Sequence, residues 1–302
     1  APGSEEPVPR KLIRVMEKMN LSARLANEGL IDKAIEGFRE VIKIDQKNTE
    51  AYINLAQCYE GLGKYDEAIT HFEIAASFKP DDPVTINDIG TCYTKKMDFG
   101  KALDQFNKAI ELDAELPQIY YNRGLAYRKL GNLEHAIEDY DKAIELDAEF
   151  AEAYSNRGGV YERTGNYQRA LEDYDKAIEL APQSAEAYYN RGVVYQKSGN
   201  QQQAIKDYDN VIELKPRFKP AYYNRGLAYD QSGNQQQAIG NYIKVIGLDP
   251  KFALAYVRLA KGYEKQEQYE AAIEAWKKVS EIRPQQHEAR KNLTRLRGLT
   301  HQ

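Results

Sequence analysis

Hydrophobic and small residues recur along this chain with a fixed spacing of 34 residues. The segment 185–218 nearly reappears as 151–184 and as 219–252, and the spacing fits eight times without an insertion, from Val15 to Gln286. Such a period is typical of an array whose units pack only on their neighbours. We number the positions in each unit as columns 1–34 and divide the chain into repeats 15–48, 49–82, 83–116, 117–150, 151–184, 185–218, 219–252 and 253–286.

The apolar positions of each repeat follow the period of a helix and predict two helices. We expect the first over columns 2–14 and the second over columns 18–30. Six repeats carry glycine at column 15, which suits the left-handed backbone at a helix C-terminus and predicts a turn there. Met97 and Glu267 replace this glycine, so the turn signal is absent in two repeats. The sequence therefore predicts an all-α solenoid of tandem helix–turn–helix repeats.

Small and large residues alternate in a way that predicts how the two helices of a repeat pack. Column 20 is alanine in all eight repeats, from Ala34 to Ala272, and column 8 is always serine, alanine or glycine. Aromatic rings occupy column 24 throughout, and tyrosine occupies column 11 in seven repeats. Because small residues let helices approach and rings fill the space beside them, we expect a densely packed interior.

These columns resemble the tetratricopeptide repeat, a helix–turn–helix of the same length. The shared features are a small residue at column 8, Tyr at 11, Ala at 20, an aromatic ring at 24 and Pro near 32. The resemblance covers residues 15–286. It implies a right-handed superhelix in which the first helices line a concave groove. It also implies that the chain holds a partner protein or peptide and performs no catalysis.

Both ends of the chain depart from the repeat pattern. Residues 1–10 contain three prolines and predict a flexible arm, so 1–14 are interpreted as this arm and the start of the first helix. Residues 287–302 predict a capping helix and tail, with Ala289, Leu293 and Leu296 on one face. The arm lacks the apolar core of a signal peptide, which favours a cytoplasmic protein. The mature form of an exported protein is the alternative.

Composition and candidate chemistry narrow the function classes. The 302 residues are 42% hydrophobic and 29% charged with a net charge of −4, which argues against a nucleic-acid-binding protein. No apolar run approaches the length of a membrane span. The four histidines fall in unrelated columns, and Cys58 and Cys92 share one column of neighbouring repeats, too far apart for a disulfide. We therefore expect no metal, no cofactor and no enzymatic activity.

Asparagine dominates column 6, which the resemblance places in the groove. An amide donates and accepts hydrogen bonds, so one asparagine per repeat can hold the backbone of an extended partner. This arrangement resembles the asparagine ladder in the superhelix of O-linked N-acetylglucosamine transferase. Asp88 interrupts the column, and the alternative is that the amides bond a neighbouring helix. The predicted partner-binding asparagines are Asn20, Asn54, Asn122, Asn156, Asn190 and Asn224.

Three further columns supply candidate contacts. Tyr121, Tyr189 and Tyr223 at column 5 offer amphipathic contact area, with packing between adjacent first helices as the alternative. Column 13 offers a basic rim for acidic partners, with solvated helix ends as the alternative. At column 7, four arginines are interpreted as stems packed in the stack with their heads bonded to carboxylates. The rim residues are Lys129, Arg163 and Lys197.

The function predicted from the sequence is that of a protein-interaction scaffold that binds an extended or helical partner segment in its groove. Self-assembly into a homo-oligomer and service as the substrate-binding arm of a larger enzyme are the alternatives. A clamp for a free C-terminal carboxylate is not expected, because column 5 contains no Lys and column 9 no Asn. We also expect the groove asparagines to lack partners in the free protein, so that replacing them would weaken binding without lowering stability.

Overall fold

The computed structural model describes residues 10–300, and this range contains helices and short turns without a strand. The first helix begins at Arg10, so residues 1–9 of the predicted arm lie outside the described range, as do residues 301–302 of the predicted tail. Seventeen helices follow one another between Arg10 and Thr300. The all-α solenoid class predicted from the columns is confirmed.

The chain divides by its own contacts into two compact units, Ala1–Glu149 and Phe150–Gln302, here called unit 1 and unit 2. Within each unit every helix packs on the helix that follows it. Unit 1 contains α1 (Arg10–Asn27), α2 (Ile31–Ile44), α3 (Thr49–Gly61), α4 (Tyr65–Phe78), α5 (Pro83–Lys95), α6 (Phe99–Leu112), α7 (Pro117–Leu130) and α8 (Leu133–Leu146). Unit 2 contains α9 (Ala151–Arg163), α10 (Tyr167–Leu180), α11 (Ala185–Lys197), α12 (Gln201–Leu214), α13 (Lys219–Gln231), α14 (Gln235–Leu248), α15 (Ala253–Lys265), α16 (Tyr269–Ile282) and α17 (His287–Thr300).

Each repeat holds its two helices at the same columns. In the sixth repeat α11 covers columns 1–13 and α12 covers columns 17–30, within a residue or so of the prediction. In five repeats column 16 is Asp or Asn, and its side chain caps the second helix by accepting a hydrogen bond from a free backbone N–H of the first turn. Asn200 does so for the N–H of Gln203 at 3.3 Å, and Asp98 does so for the N–H of Lys101 at 3.4 Å.

The turn at column 15 is left-handed in all eight repeats. The six glycines there have φ between 72° and 85°, and Met97 and Glu267 adopt φ of 63° and 58°. In the third repeat the Met97 N–H donates to Thr94 O and the Asp98 N–H to Tyr93 O, both at 3.0 Å, which satisfies the last carbonyls of α5. Packing of the helix pair thus stabilises a conformation that costs a non-glycine residue roughly 1–2 kcal/mol.

Small and large residues alternate in the interior of each repeat, as the columns predicted. Column 20 alanines are fully buried in every repeat, and the column 24 rings are at most 1% exposed. In the seventh repeat a Cβ added at Gly226 would lie 2.7 Å from Cε1 of Tyr242. The ring therefore occupies the space that a larger column 8 residue would need, and α13 and α14 approach closely.

The last helix packs against the helix before it. α17 packs on α16, with Ala289 and Leu296 fully buried in the cluster formed by α14 to α17.

Cys58 and Cys92 are free and buried, as their shared column predicted. Burial raises the pKa of the Cys92 thiol to about 12, so this thiol stays protonated and unreactive at neutral pH.

Candidate functional site

The first helices of successive repeats contact one another within each unit. α11 touches both α9 and α13 in unit 2, and α5 touches α7 in unit 1. We call the surface that they form in each unit the first-helix face. Columns 5 and 6 meet across it, because column 6 of one repeat lies beside column 5 of the repeat before. This offset of 35 residues joins Asn224 to Tyr189 and Asn122 to Asn87.

Three of the predicted groove asparagines have partners in the free protein, which corrects the expectation that they lack them, and two of the three bond the neighbouring first helix. The Asn224 amide donates to the Tyr189 hydroxyl at 3.0 Å. The Asn122 amide donates to Asn87 Oδ1 at 2.9 Å, and its oxygen accepts from Gln118 Nε2 at 3.0 Å. These amides hold neighbouring first helices together, because column 5 of the preceding repeat supplies a polar atom within reach.

The other four asparagines lie in different environments. Asn156 donates from Nδ2 to the carbonyl of Glu152 at 2.9 Å, one turn earlier in α9. Asn20 is exposed on α1, and Asn54 is half-buried beside a cavity of about 190 Å³. Asn190 is half-buried at the edge of a second cavity, of about 290 Å³, and its side chain makes no hydrogen bond within the described residues. The NH₂ donor and the carbonyl acceptor of the Asn190 side chain are therefore both available to a ligand.

The column 5 tyrosines pack against rings of their own repeats, and Tyr189 also accepts the hydrogen bond from Asn224 on the adjacent first helix. Tyr189 lies 6.0 Å from the Tyr208 ring and meets the Phe218 ring edge-on at 5.3 Å and 88°. Tyr223 repeats this arrangement with Tyr242 and with Phe252, at 6.1 Å and 5.4 Å. All three column 5 tyrosines, including Tyr121 against Tyr140 at 6.0 Å, stay half-buried and keep part of the ring accessible.

The predicted basic rim is in part an internal ladder of ion pairs. Lys197 Nζ lies 2.7 Å from Oε1 of Glu162 in the preceding repeat, and Lys95 Nζ lies 2.8 Å from Oε1 of Glu60. Lys129 and Arg163 are exposed at the ends of their helices. The free basic charge that column 13 presents is therefore smaller than the sequence suggested, because Lys197 is paired.

The column 7 arginines bind carboxylates, as predicted, and Arg123, Arg191 and Arg225 each join three helices. Arg191 lies on α11 and binds Asp207 on α12, with Nη2 2.6 Å from Oδ1, while Nη1 lies 2.7 Å from Asp175 Oδ1 on α10. Its guanidinium lies 5.6 Å from the Tyr188 ring centroid. Burial raises the pKa of the Asp207 carboxyl, and the guanidinium opposes this shift. The arrangement is structural and not a ligand site.

Asp88 is the residue of column 6 with the most unusual electrostatics. It is half-buried on α5, and the Asn87 amide approaches its Oδ1 at 3.4 Å. Burial, reinforced by the nearby Glu60 carboxylate, raises the pKa of Asp88 to about 6. The first-helix face of unit 1 therefore carries a carboxylate that changes charge near neutral pH where most repeats carry an amide.

Four residues of the Asn190 cavity were not predicted from the sequence. The cavity is lined by Ala185, Glu186, Tyr189 and Asn190 from α11 and by Lys215 and Phe218 from the loop that precedes α13. One signal in the sequence pointed to it: in the fourth, sixth and seventh repeats a tyrosine at column 5 accompanies a phenylalanine at column 34. These two rings meet across the corner of the repeat.

A metal centre and a membrane-spanning helix are absent from the part of the chain that the structure describes. Over residues 10–300 no group of three or more His, Cys, Asp or Glu side chains is arranged to hold a metal ion. Within the same range no helix combines the length and the apolar character that crossing a membrane requires. The chemistry of the first-helix face is that of amides and aromatic rings.

Comparison with known families assigns the repeats. Sequence models described as "TPR repeat" match residues 90–131, 124–165 and 164–199, and models described as "Tetratricopeptide repeat" match 25–84, 185–218, 220–252 and 253–286. The chain belongs to the tetratricopeptide-repeat family. The resemblance drawn from columns 8, 11, 20 and 24 is thereby confirmed. No curated protein sequence matches this tetratricopeptide-repeat chain.

Several solved tetratricopeptide-repeat structures are similar to the chain. A MamA protein is 32% identical with a TM-score of 0.54, over 56% of this chain and 92% of its own. YrrB, described as "a TPR protein with an unusual peptide-binding site", is 29% identical with a TM-score of 0.55, over 61% of this chain and 94% of its own. Cut9 in complex with Hcn1 is 20% identical with a TM-score of 0.59, over 88% and 52%, and shares the fold.

Proposed function

We propose that this tetratricopeptide-repeat protein is a non-catalytic scaffold that binds an extended segment of a partner protein along its first-helix face. The observation that carries the proposal is Asn190, a half-buried amide that makes no hydrogen bond within the described residues and lies beside the accessible Tyr189 ring. An amide in this state can donate to and accept from one peptide unit of a bound chain. Each such hydrogen bond contributes about 0.5–1.5 kcal/mol net.

Two further observations support a peptide as the ligand. Proteins built of these repeats are typically non-catalytic scaffolds, and YrrB, a similar structure, is described as having a peptide-binding site. Tyr189 and Tyr223 add accessible aromatic surface beside the asparagine column, and such rings often dominate the affinity of an interface. Asn224 of the same unit can contribute through the lone pairs that its present bond leaves open.

The direct test is selection of peptides from a random library displayed on phage, with the full chain immobilised. We expect enriched sequences that protect amides of the odd-numbered helices from hydrogen exchange when bound. Protection confined to the exposed sides of the even-numbered helices would contradict the proposed surface. Failure to enrich any peptide would contradict the proposed function itself.

Self-association is a second candidate, favoured by one apolar surface on α1. Leu21 at column 7 is 46% exposed, whereas Leu55 and Leu259 at the same column are 0% and 7% exposed. Met16 and Leu12 extend this exposed apolar surface along the helix. Sedimentation velocity over a range of concentrations tests the candidate: a dimer lost on Leu21→Glu supports it, and a monomer at every concentration contradicts it.

A further inference from the structure

The cavity beside Asn190 occupies a corner that recurs in the next repeat in a filled form. Both corners are built by a column 5 tyrosine and a column 34 phenylalanine that meet edge-on, at 5.3 Å and 88° in the sixth repeat and 5.4 Å and 86° in the seventh. The two repeats differ at column 1, which is Ala185 in the sixth and Lys219 in the seventh. Column 1, together with column 31, decides whether the corner is open.

In the seventh repeat the corner is covered by the protein's own side chain. The Lys219 ammonium lies 4.5 Å from the centroid of the Phe252 ring and 2.5 Å from Oδ2 of Asp249 at column 31. In the sixth repeat Ala185 is too short to cover Phe218, and column 31 is Lys215, which makes no ion pair within the described residues. The result is an open cavity of about 290 Å³.

The residues that line the open corner are held in place by contacts within the protein itself. The Tyr189 ring is fixed by its contacts with Tyr208 and Phe218, and its hydroxyl accepts the hydrogen bond from Asn224. The volume lies just below the range of roughly 300–1,000 Å³ typical of sites for drug-sized ligands, so it suits one large side chain. Asn190 stands at the edge of this space with its amide unpaired.

We propose that this corner is an anchor pocket in which a bound peptide buries one bulky apolar side chain between Tyr189 and Phe218, while Asn190 pairs with the adjacent peptide unit. The inference rests on the proposed function and adds to it the class of side chain that the chain selects. The aromatic walls and the Cβ of Ala185 supply the apolar contact, and Lys219 over Phe252 shows that such a corner accepts a side chain. The equivalent corner of the seventh repeat, already covered, takes no anchor.

The chain itself offers the variant that closes the pocket. Ala185→Lys with Lys215→Asp reproduces in the sixth repeat the pair that Lys219 and Asp249 form in the seventh, so the variant is expected to fold. Lys215→Asp alone changes the charge at the rim and leaves the corner open, which makes it the matched control. Thermal unfolding of both variants checks that the repeat remains intact.

The experiment uses peptides enriched from a random displayed library on the wild-type chain. We expect them to share one bulky apolar position, whose replacement by alanine weakens binding about 10–100-fold, the effect of losing one buried side chain. We expect the double variant to lose affinity by a similar factor and the Lys215→Asp variant to stay within about threefold of the wild type. In the double variant the alanine replacement in the peptide should then have little further effect.

A photoreactive leucine analogue at the shared position tests the same pocket without any change in the protein. Cross-links to Tyr189 or Phe218 in the wild-type chain support the inference, and cross-links elsewhere overturn it. Enriched peptides without an apolar preference, or equal binding to the double variant, overturn the anchor pocket and leave the proposed function in place. Enrichment of no peptide at all contradicts both.

Discussion

Arg191 holds Asp207 through two parallel hydrogen bonds, from Nε to Oδ2 at 2.9 Å and from Nη2 to Oδ1 at 2.6 Å, where Asp207 is 2% exposed. Arg123 binds Asp139 in the same way, and in the seventh repeat Arg225 Nε donates to Asn241 Oδ1 at 2.9 Å. These pairs fasten the two helices of one repeat at the point where column 8 glycine brings them closest. The first prediction concerns the stability that the Arg191–Asp207 pair contributes.

Breaking one side of this pair is expected to cost far more stability than removing both. Arg191→Leu leaves the buried Asp207 carboxylate without its counter-charge, which costs roughly 3–5 kcal/mol. The eighth repeat has Leu259 and Ala275 at the columns of Arg191 and Asp207. The double variant Arg191→Leu with Asp207→Ala reproduces that pair and should recover most of the lost stability. Urea unfolding of the three proteins measures this; additive losses in the double variant would show that the pair does not act as a unit.

The second prediction compares two glycines of the seventh repeat. Gly226→Ala places a Cβ 2.7 Å from the Tyr242 ring and should destabilise the chain by roughly 1–3 kcal/mol. Gly240 lies within α14 with nothing within 4 Å of an added Cβ, so Gly240→Ala should stabilise the chain by about 0.5–1 kcal/mol. Thermal unfolding measures both. Equal effects of the two substitutions would contradict the close approach of α13 and α14.

Most of the fold could be predicted because its determinants repeat. Column 20 alanines and column 24 rings identify the buried faces, and their identity in every repeat fixes the pairing of helices. The turns at Met97 and Glu267 could not be predicted from residue type, because neither favours a left-handed backbone. There the packing of the helix pairs on both sides decides the conformation.

The site could be predicted only in part. The sequence indicated that column 6 is rich in amides, but the partners of Asn122 and Asn224 come from column 5 of the preceding repeat. Such contacts depend on how successive first helices stack, which a single repeat does not reveal. The Asn190 cavity is open because Ala185 has no long side chain to fill it. A small residue in a sequence does not by itself predict a pocket.

The third prediction concerns pH and Asp88. Its pKa rises from 3.8 to about 6 in the folded chain, so the ionised carboxylate opposes folding above that pH. This penalty disappears as the pH falls from about 6 to about 4, because the folded chain takes up the proton first. Asp88→Asn should therefore be more stable than the wild type by roughly 1–3 kcal/mol at pH 7 and about equal to it near pH 4.

Urea unfolding at several pH values measures this difference. Asp104→Asn serves as the control, because Asp104 lies exposed on α6. A difference between Asp88→Asn and the wild type that stays constant from pH 4 to pH 8 would contradict the raised pKa.

The fourth prediction separates binding from stability within the asparagine column. Asn190→Ala removes an amide without an intrachain partner and should weaken a selected peptide about 2–10-fold while leaving the melting temperature unchanged. Asn224→Ala removes the donor to the Tyr189 hydroxyl and should lower both the melting temperature and the affinity. Paired melting and binding curves test this. An equal loss of stability in both variants would mean that Asn190 is structural.

The most direct test of the central claim, that the first-helix face holds a peptide, is calorimetric titration of one selected peptide into two variants. One replaces Asn156, Asn190 and Asn224 of unit 2 with alanine, and the other replaces the exposed Gln202 and Lys206 of α12 with alanine. The account predicts at least about a 10-fold loss of affinity in the first variant, roughly the sum of three hydrogen bonds, and no loss in the second. The far-ultraviolet circular dichroism of the first variant should remain that of a folded helical protein, with a lower melting temperature. Unchanged affinity in a folded threefold variant, or a loss in the α12 variant, would contradict the account.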